Sequence, residues 1–370
     1  MQRIRARLLL ILLLGVGATA WWLQRTPARP ERVSLSAEAS AQAPQSVATR
    51  PLTAPVPMAN LDAVVVDVPP QLGALRRALQ RSPEDASVLG EIAELERRLG
   101  LIWSALEHAQ AAERLDSSNP IRAALVGDLL GGLRAFPEAR AAFDRALATA
   151  PDRIDLVASK AATYQAEGDL NAANGLLQSL PPPRPRDRLL VEVRFRQFLY
   201  QQRYREALEL VDGVFGKAAV AKTANSWVRL LFHIKILYLR QLIGHAGTAN
   251  SEFQLALHLD GELRAAGADP HQLASVLGLT HAGLGNQQAA IDAVQHYLAS
   301  IQDDHQAKQA ARLQLARILA RFGEADAALA LLTASLAIPY GTTPAALRLD
   351  PAWEPLRGTP KFDALSAQAE

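Results

Sequence analysis

The side chains best suited to chemistry are eight histidines, and their spacing assembles no reactive centre. They stand apart at His108, His233, His245, His258, His271, His281, His296 and His305. No His-Glu-x-x-His occurs, the spacing that sets two imidazoles on one helix face around zinc with a general base between them. Asp303-Asp304-His305 is the best cluster of ligand types. It can be read as a cation site, or as a solvated turn that caps the helix after it, and the second reading is preferred. Cysteine is absent, which excludes disulfides, thiolate metal sites, thiol nucleophiles and covalent haem attachment. Gly15-Val16-Gly17 lies inside an apolar run, and GLTHAGLGN at 278–286 lacks a following Lys-Ser or Lys-Thr, so neither reads as a phosphate loop. Trp227, His233 and Tyr238 share one apolar helical stretch and read as core. The expectation is a chain with no cofactor, no metal and no catalytic residues.

What positions these residues is a recurring unit of about 34 residues. One copy, 120–151, holds Gly127, Leu130, Ala139, Phe143 and Ala146 and closes on Pro151. The next holds Ala161, Tyr164, Gly168, Ala173 and Leu177 and ends in the prolines from Pro181. Small residues let two helices of a unit approach, a large one fills the gap toward the next unit, and proline ends the second helix. Looser copies occupy 86–119, 188–216, 271–298 and 309–338, and 225–266 reads as a degenerate pair of longer helices. This predicts an all-α array of about seven helix–turn–helix units, each packed on its neighbours.

The pattern resembles the tetratricopeptide repeat (TPR) family, and FPEARAAFDRALATAP at 136–151 is close to the second-helix pattern of that family. The resemblance implies a right-handed superhelix whose first helices line an inner groove. By position in the unit, it places Glu94, Arg97, Asp128, Gln165, Glu192, Arg196 and Arg317 in that groove. Mixed charge there suits a polar peptide or extended protein segment. The alternative is that these are merely polar positions on amphipathic helices.

The chain divides into four parts: a membrane anchor or signal peptide (1–24), a linker (25–70), the repeats (71–338) and a C-terminal segment (339–370). In the last, Trp353, Leu356, Phe362 and Leu365 are spaced to face inward from two proline-opened short helices, as a cap over the final repeat. The same string resembles the end of envelope-side TPR regions in bacterial transmembrane kinase, cyclase and winged-helix signalling proteins. Here only a basic tip precedes the apolar run, so the resemblance extends to the envelope-side half alone.

That run, 8–23, is uncharged and holds Trp21 and Trp22 at its end. It reads as an uncleaved anchor with tryptophans at the interface, or as a signal peptide cleaved after Ala18-Thr19-Ala20. Either places the repeats outside the cytoplasm, in the periplasm of a bacterium. Arg25, Arg29 and Arg32 offset Arg3, Arg5 and Arg7, which leaves the inverted orientation open. The linker is rich in Pro, Ala, Ser, Gln and Thr and reads as extended or disordered, with a reach of roughly 30–40 Å as a coil. Val64, Val65 and Val66 near its end suit a docked strand or a patch on the first helix.

Charge is uneven. Residues 1–60 hold seven Arg against two acidic groups (+5), and the rest of the chain 32 basic against 35 acidic (−3). A slightly acidic repeat domain lacks the basic stripe that nucleic acid requires. The function expected is therefore a non-catalytic scaffold or adaptor for a protein or peptide partner in the cell envelope, held at the inner membrane by its N-terminal helix. The alternatives are a partner-binding remnant of a transmembrane signalling protein, or an enzyme whose pocket lies within 225–266.

Overall fold

Small and large apolar residues three and four positions apart build paired helices that lean on one another throughout. The computed structural model describes residues 69–184, 187–216, 233–236, 238–240, 242–243, 246–265 and 270–368. The apolar run 8–23, most of the linker with its valines, and Trp227 lie outside the described residues. Among the described residues no helix is long and apolar enough to cross a membrane.

Helix α1 (Pro70–Arg81) precedes four hairpins. These are α2 (Ala86–Leu99) with α3 (Ile102–Leu115), α4 (Pro120–Gly132) with α5 (Phe136–Thr149), α6 (Ile154–Glu167) with α7 (Leu170–Gln178), and α8 (Arg188–Tyr200) with α9 (Tyr204–Val211). A π-helical turn, Asp212–Gly216, follows α9. Residues 233–236 and 238–240 are helical, and α10 (Ala246–Ala265) packs on α11. Two more hairpins are α11 (Pro270–Gly283) with α12 (Gln287–Ser300) and α13 (His305–Arg321) with α14 (Ala325–Leu336). The chain ends in α15 (Pro344–Leu349), a 3-10 turn (Pro351–Leu356) and α16 (Pro360–Ser366).

All six of these hairpins turn in the same way. Each has one residue with positive φ just after its first helix: Gly100, Arg134, Gly168, Gln202, Gly285 and Gly323. The residue after it donates its N–H five positions back, as Leu101 does to Glu96 and Ala135 to Leu130, both at 2.9 Å. That closure satisfies carbonyls left open at a helix end and needs a left-handed residue, which glycine adopts without strain. Arg134 and Gln202 hold it without that advantage.

The contact between α4 and α5 shows what the small residues do. Ala139 and Ala142 are fully buried, and a Cβ built on Gly127 would stand 3.0 Å from the Phe143 ring. Burying a ring of that size contributes on the order of 1.5–3 kcal/mol. Second helices then pack on the next first helix, as α3 does on α4 and α5 on α6.

The array curls until its ends meet. Helix α13 packs on α2, and α15 packs on α6. The C-terminal segment covers the last hairpin: Trp353, Leu356 and Phe362 share one buried cluster with Leu313, Leu329 and Leu332. It also reaches back into the first three hairpins, which a terminal cap need not do.

Candidate functional site

The inner face is built by α2, α4, α6, α8 and α13, and it is charged. Every residue nominated from the repeat positions sits on one of these helices, and most are engaged by the chain itself. On α2, Arg97 grips Glu94 through two hydrogen bonds, Nε to Oε2 at 3.0 Å and a second to Oε1, and also donates to Gln306 of α13. Asp128 of α4 lies 3.9 Å from Arg97 and accepts from the Tyr340 hydroxyl at 3.0 Å. Gln165 of α6 donates to the Val193 carbonyl and to Gln197, both at 2.8 Å. Glu192 of α8 pairs with Lys235 at 2.9 Å, and Arg317 of α13 with Asp350 at 2.8 Å. Arg196 differs: among the described residues nothing hydrogen-bonds or ion-pairs with it.

Two regions of the inner face follow from these pairings. Over the first three hairpins it is closed by a strap, residues 338–343. Tyr340 takes positive φ (58°), donates its N–H to the Gly132 carbonyl at 2.8 Å and lays its ring on that glycine. A Cβ at Gly132 would stand 2.5 Å from the ring, so the close approach needs glycine there. Arg134 donates to the Thr342 carbonyl and the Thr343 hydroxyl to the Ala166 carbonyl, each at 2.7 Å. His305 completes the closure against Gly100. Asp304 caps α13 through Ala307 N–H at 2.9 Å, and among the described residues no cluster of three or more metal-ligating side chains occurs.

Under the strap one guanidinium serves two carboxylates. Burial weakens the charge on Arg97, but the Glu94 and Asp128 carboxylates outweigh it and hold the group more firmly protonated. Asp128 is the more distant acid. Burial, reinforced by the Glu94 charge and opposed by Arg97 and the Tyr340 hydroxyl, pushes its pKa from 3.8 up to about 7. An acid with a raised native pKa binds more protons folded than unfolded, so stability falls as pH rises through that window, from about 4 to about 7. His108, whose pKa is raised by its hydrogen bond to Glu96, loses stability in the same direction as pH climbs above 6.5. The Asp128→Asn variant isolates the first effect. Wild type is expected to melt several degrees lower at pH 8 than at pH 5, since one pKa unit is about 1.4 kcal/mol and each kcal/mol moves the midpoint by about 2–4 °C. In Asp128→Asn that difference shrinks; an unchanged difference in thermal melts would remove Asp128 as its source.

Beyond the strap the inner face opens into a chamber of about 340 Å³ between α8, the residues Ile234, Lys235, Tyr238 and Leu242, α11, α13 and the turn after α15. Its walls include Phe195, Leu199, Leu279 and Ile318. Burial and the nearby Asp350 charge raise the pKa of Tyr238, which also lines it, well above its ordinary value. A smaller chamber of about 70 Å³, bordered by Gln309, Thr342 and Thr343, shares Arg196, Tyr200, Arg317 and Asp350 with the larger. The arrangement can bind: Glu192 and Asp350 pair with Lys235 and Arg317, Arg321 donates to the Ala282 carbonyl, and among the described residues Arg196 has no hydrogen-bond or ion-pair partner.

The repeat positions did not disclose Tyr340, Arg134, Lys235 and Asp350. Asp350 carries a local signal, because an Asp before Pro351 reads as a helix cap, and it does accept from Ala352 N–H at 2.9 Å. Lys235 stands out as a lone charge in an apolar stretch. Nothing local marks Tyr340, whose partners are more than two hundred positions away.

No family model and no curated protein matches the chain. Among solved structures, a tetratricopeptide repeat protein from Parabacteroides merdae is similar at 12% identity and a TM-score of 0.47, over 66% of this chain and 91% of that one. A chain of the APC/C hetero-tetramer Cut9-Hcn1 is similar at 17% identity and a TM-score of 0.40; the match covers 76% of this chain and about half (52%) of that one. PilW, a type IV pilus biogenesis factor, is similar at 14% identity and a TM-score of 0.29, over 73% and 97%. Likeness of this degree carries nothing about a partner; the hairpin array stands on its own turns and packing.

Proposed function

We propose that the chain is a non-catalytic interaction scaffold of the tetratricopeptide type, tethered to a bacterial inner membrane by residues 1–24 with its repeats in the periplasm. The single observation that carries the binding part is the contrast along the inner face. Six of the seven nominated side chains are tied within the chain, while Arg196 lines the chamber and, among the described residues, has no hydrogen-bond or ion-pair partner. That end of the array is where a protein segment finds an unpaired charge beside apolar walls. The tethering part is supported by the apolar run 8–23 with its terminal tryptophans.

One experiment in intact cells addresses both. The full-length chain carries a photo-crosslinking amino acid at Tyr200, beside the chamber, or at Trp103, which is 54% exposed on α3. A second pair of fusions carries alkaline phosphatase or a cytoplasm-only fluorescent reporter at the C-terminus. The expected result is one discrete protein adduct from position 200, absent from position 103, with an active phosphatase fusion. No adduct from position 200 overturns the binding reading. A dark phosphatase with a bright cytoplasmic reporter overturns the location and leaves the binding reading standing.

A further inference from the structure

The two chambers make one site with two chemistries. The larger is walled mostly by aliphatic and aromatic carbon, and at about 340 Å³ it falls in the size range of small-ligand pockets. The smaller, about 70 Å³, adds the hydroxyl and amide side chains of Gln309, Thr342 and Thr343 to apolar walls such as Leu313 and Trp353, and the two share Arg196, Tyr200, Arg317 and Asp350. The charges around them settle which head group fits. Glu192 is neutralised by Lys235 (2.9 Å), Asp350 by Arg317 (2.8 Å) and Glu354 by Arg357 (3.3 Å). Arg321, a second guanidinium on the same wall, donates to the Ala282 carbonyl at 2.9 Å. Among the described residues Arg196 is the cation of this wall with no hydrogen bond or ion pair, and at the junction its fork matches a carboxylate with two parallel N–H donors.

The strap limits the shape of the ligand. Tyr340 and Thr343 are bonded to α4 and α6, and Thr342 to Arg134 in the turn after α4, so no extended chain runs from the chamber along the groove of the first three hairpins. What fits within the chamber itself is short, one apolar body and one anionic end; a longer protein segment enters it only by a terminus of that kind. We infer that this site binds a small amphiphilic carboxylate, with its alkyl body among Phe195, Leu199, Leu279 and Ile318 and its carboxylate on Arg196. This goes beyond the scaffold reading, because it gives the array a small-molecule ligand of its own.

The test uses a decanoate bearing a photoactivatable diazirine on its chain, with the full-length protein in lipid nanodiscs and labelled peptides mapped by mass spectrometry. Labelling is expected on α8, α11 and α13. Unlabelled decanoate should compete, and octanoate should compete about fifteenfold less well, since each methylene is worth about fourfold. Methyl decanoate and decylamine should not compete. Arg196→Gln, which leaves no protein partner stranded, is expected to cut labelling at least tenfold with the melting curve unchanged, and Arg196→Lys to restore part of it. Leu279→Trp, which fills the chamber, should abolish labelling by a separate route. Labelling indifferent to both Arg196→Gln and Leu279→Trp, competition by the methyl ester equal to that by the acid, or labelling confined to residues 1–24 would each overturn the inference. None of these outcomes bears on the protein adduct expected from position 200, so the two proposals fail separately.

Discussion

Ala139→Trp is expected to lose the cooperative melt of the wild type, or to lower its midpoint by more than 10 °C, an effect above roughly 3 kcal/mol. Ala139 is fully buried in the cluster that joins α4 and α5, and it faces Gly131 with about one carbon of clearance. An indole there cannot rotate into solvent; it must part the two helices. The same cluster holds Ala105 and Ala109 of α3 and Tyr340 of the strap, so the displacement reaches the neighbouring hairpin and the closure of the groove. Circular dichroism melts of Ala139→Trp beside Ala139→Ser measure it. Near-wild-type melting of the tryptophan variant would sink the packing account, whereas the serine variant is expected to melt within a few degrees of wild type.

Trp353→Ala is expected to cost about 3–5 kcal/mol, the usual range for deleting a large buried aromatic. Trp353 is 1% exposed, packs with Leu347, Leu356 and Phe362, and carries the Arg317 guanidinium over its ring at 5.5 Å. The informative readout is where the damage spreads. A cap that only covered the last hairpin would, when loosened, leave the first hairpins untouched. In this fold α15 packs on α6, and Thr343 donates to the Ala166 carbonyl. Hydrogen exchange in Trp353→Ala should therefore rise in 344–366 and also at the end of α6. Protection at α6 identical to wild type would mean that the strap holds without the C-terminal cluster.

The hairpins were legible because their causes are local. Gly100, Gly168, Gly285 and Gly323 mark four of the six turns in the sequence, and all four take positive φ. Arg134 and Gln202 carry the same turn without a glycine, so only the spacing of the neighbouring small residues pointed to it. The degenerate unit at 225–266 shows the opposite case. Its apolar residues announce helices, and α10 is one of them, but no small-residue pattern says which face meets which neighbour. The nominated residues all fall on first helices for the same reason as the turns, since a fixed repeat puts a fixed position on one side of every first helix.

What those residues do was not legible. Arg97 and Asp128 read as groove charges awaiting a partner, and each is answered by side chains from α13 and the strap, Gln306 and Tyr340. Tyr340 looks like any aromatic in a connecting loop until the array curls and sets Gly132 beneath it. Helix spacing, turn type and the division into paired helices depend on residues within about one repeat of each other, and such short-range causes are written along the chain. Which polar groups are consumed, and that among the described residues Arg196 lines the chamber without a hydrogen-bond or ion-pair partner, depends on the curvature summed over many small rotations between hairpins, which brings α13 to α2 and α15 to α6. No single stretch of sequence encodes that sum, so the closed groove and the chamber appear only when the whole array is assembled.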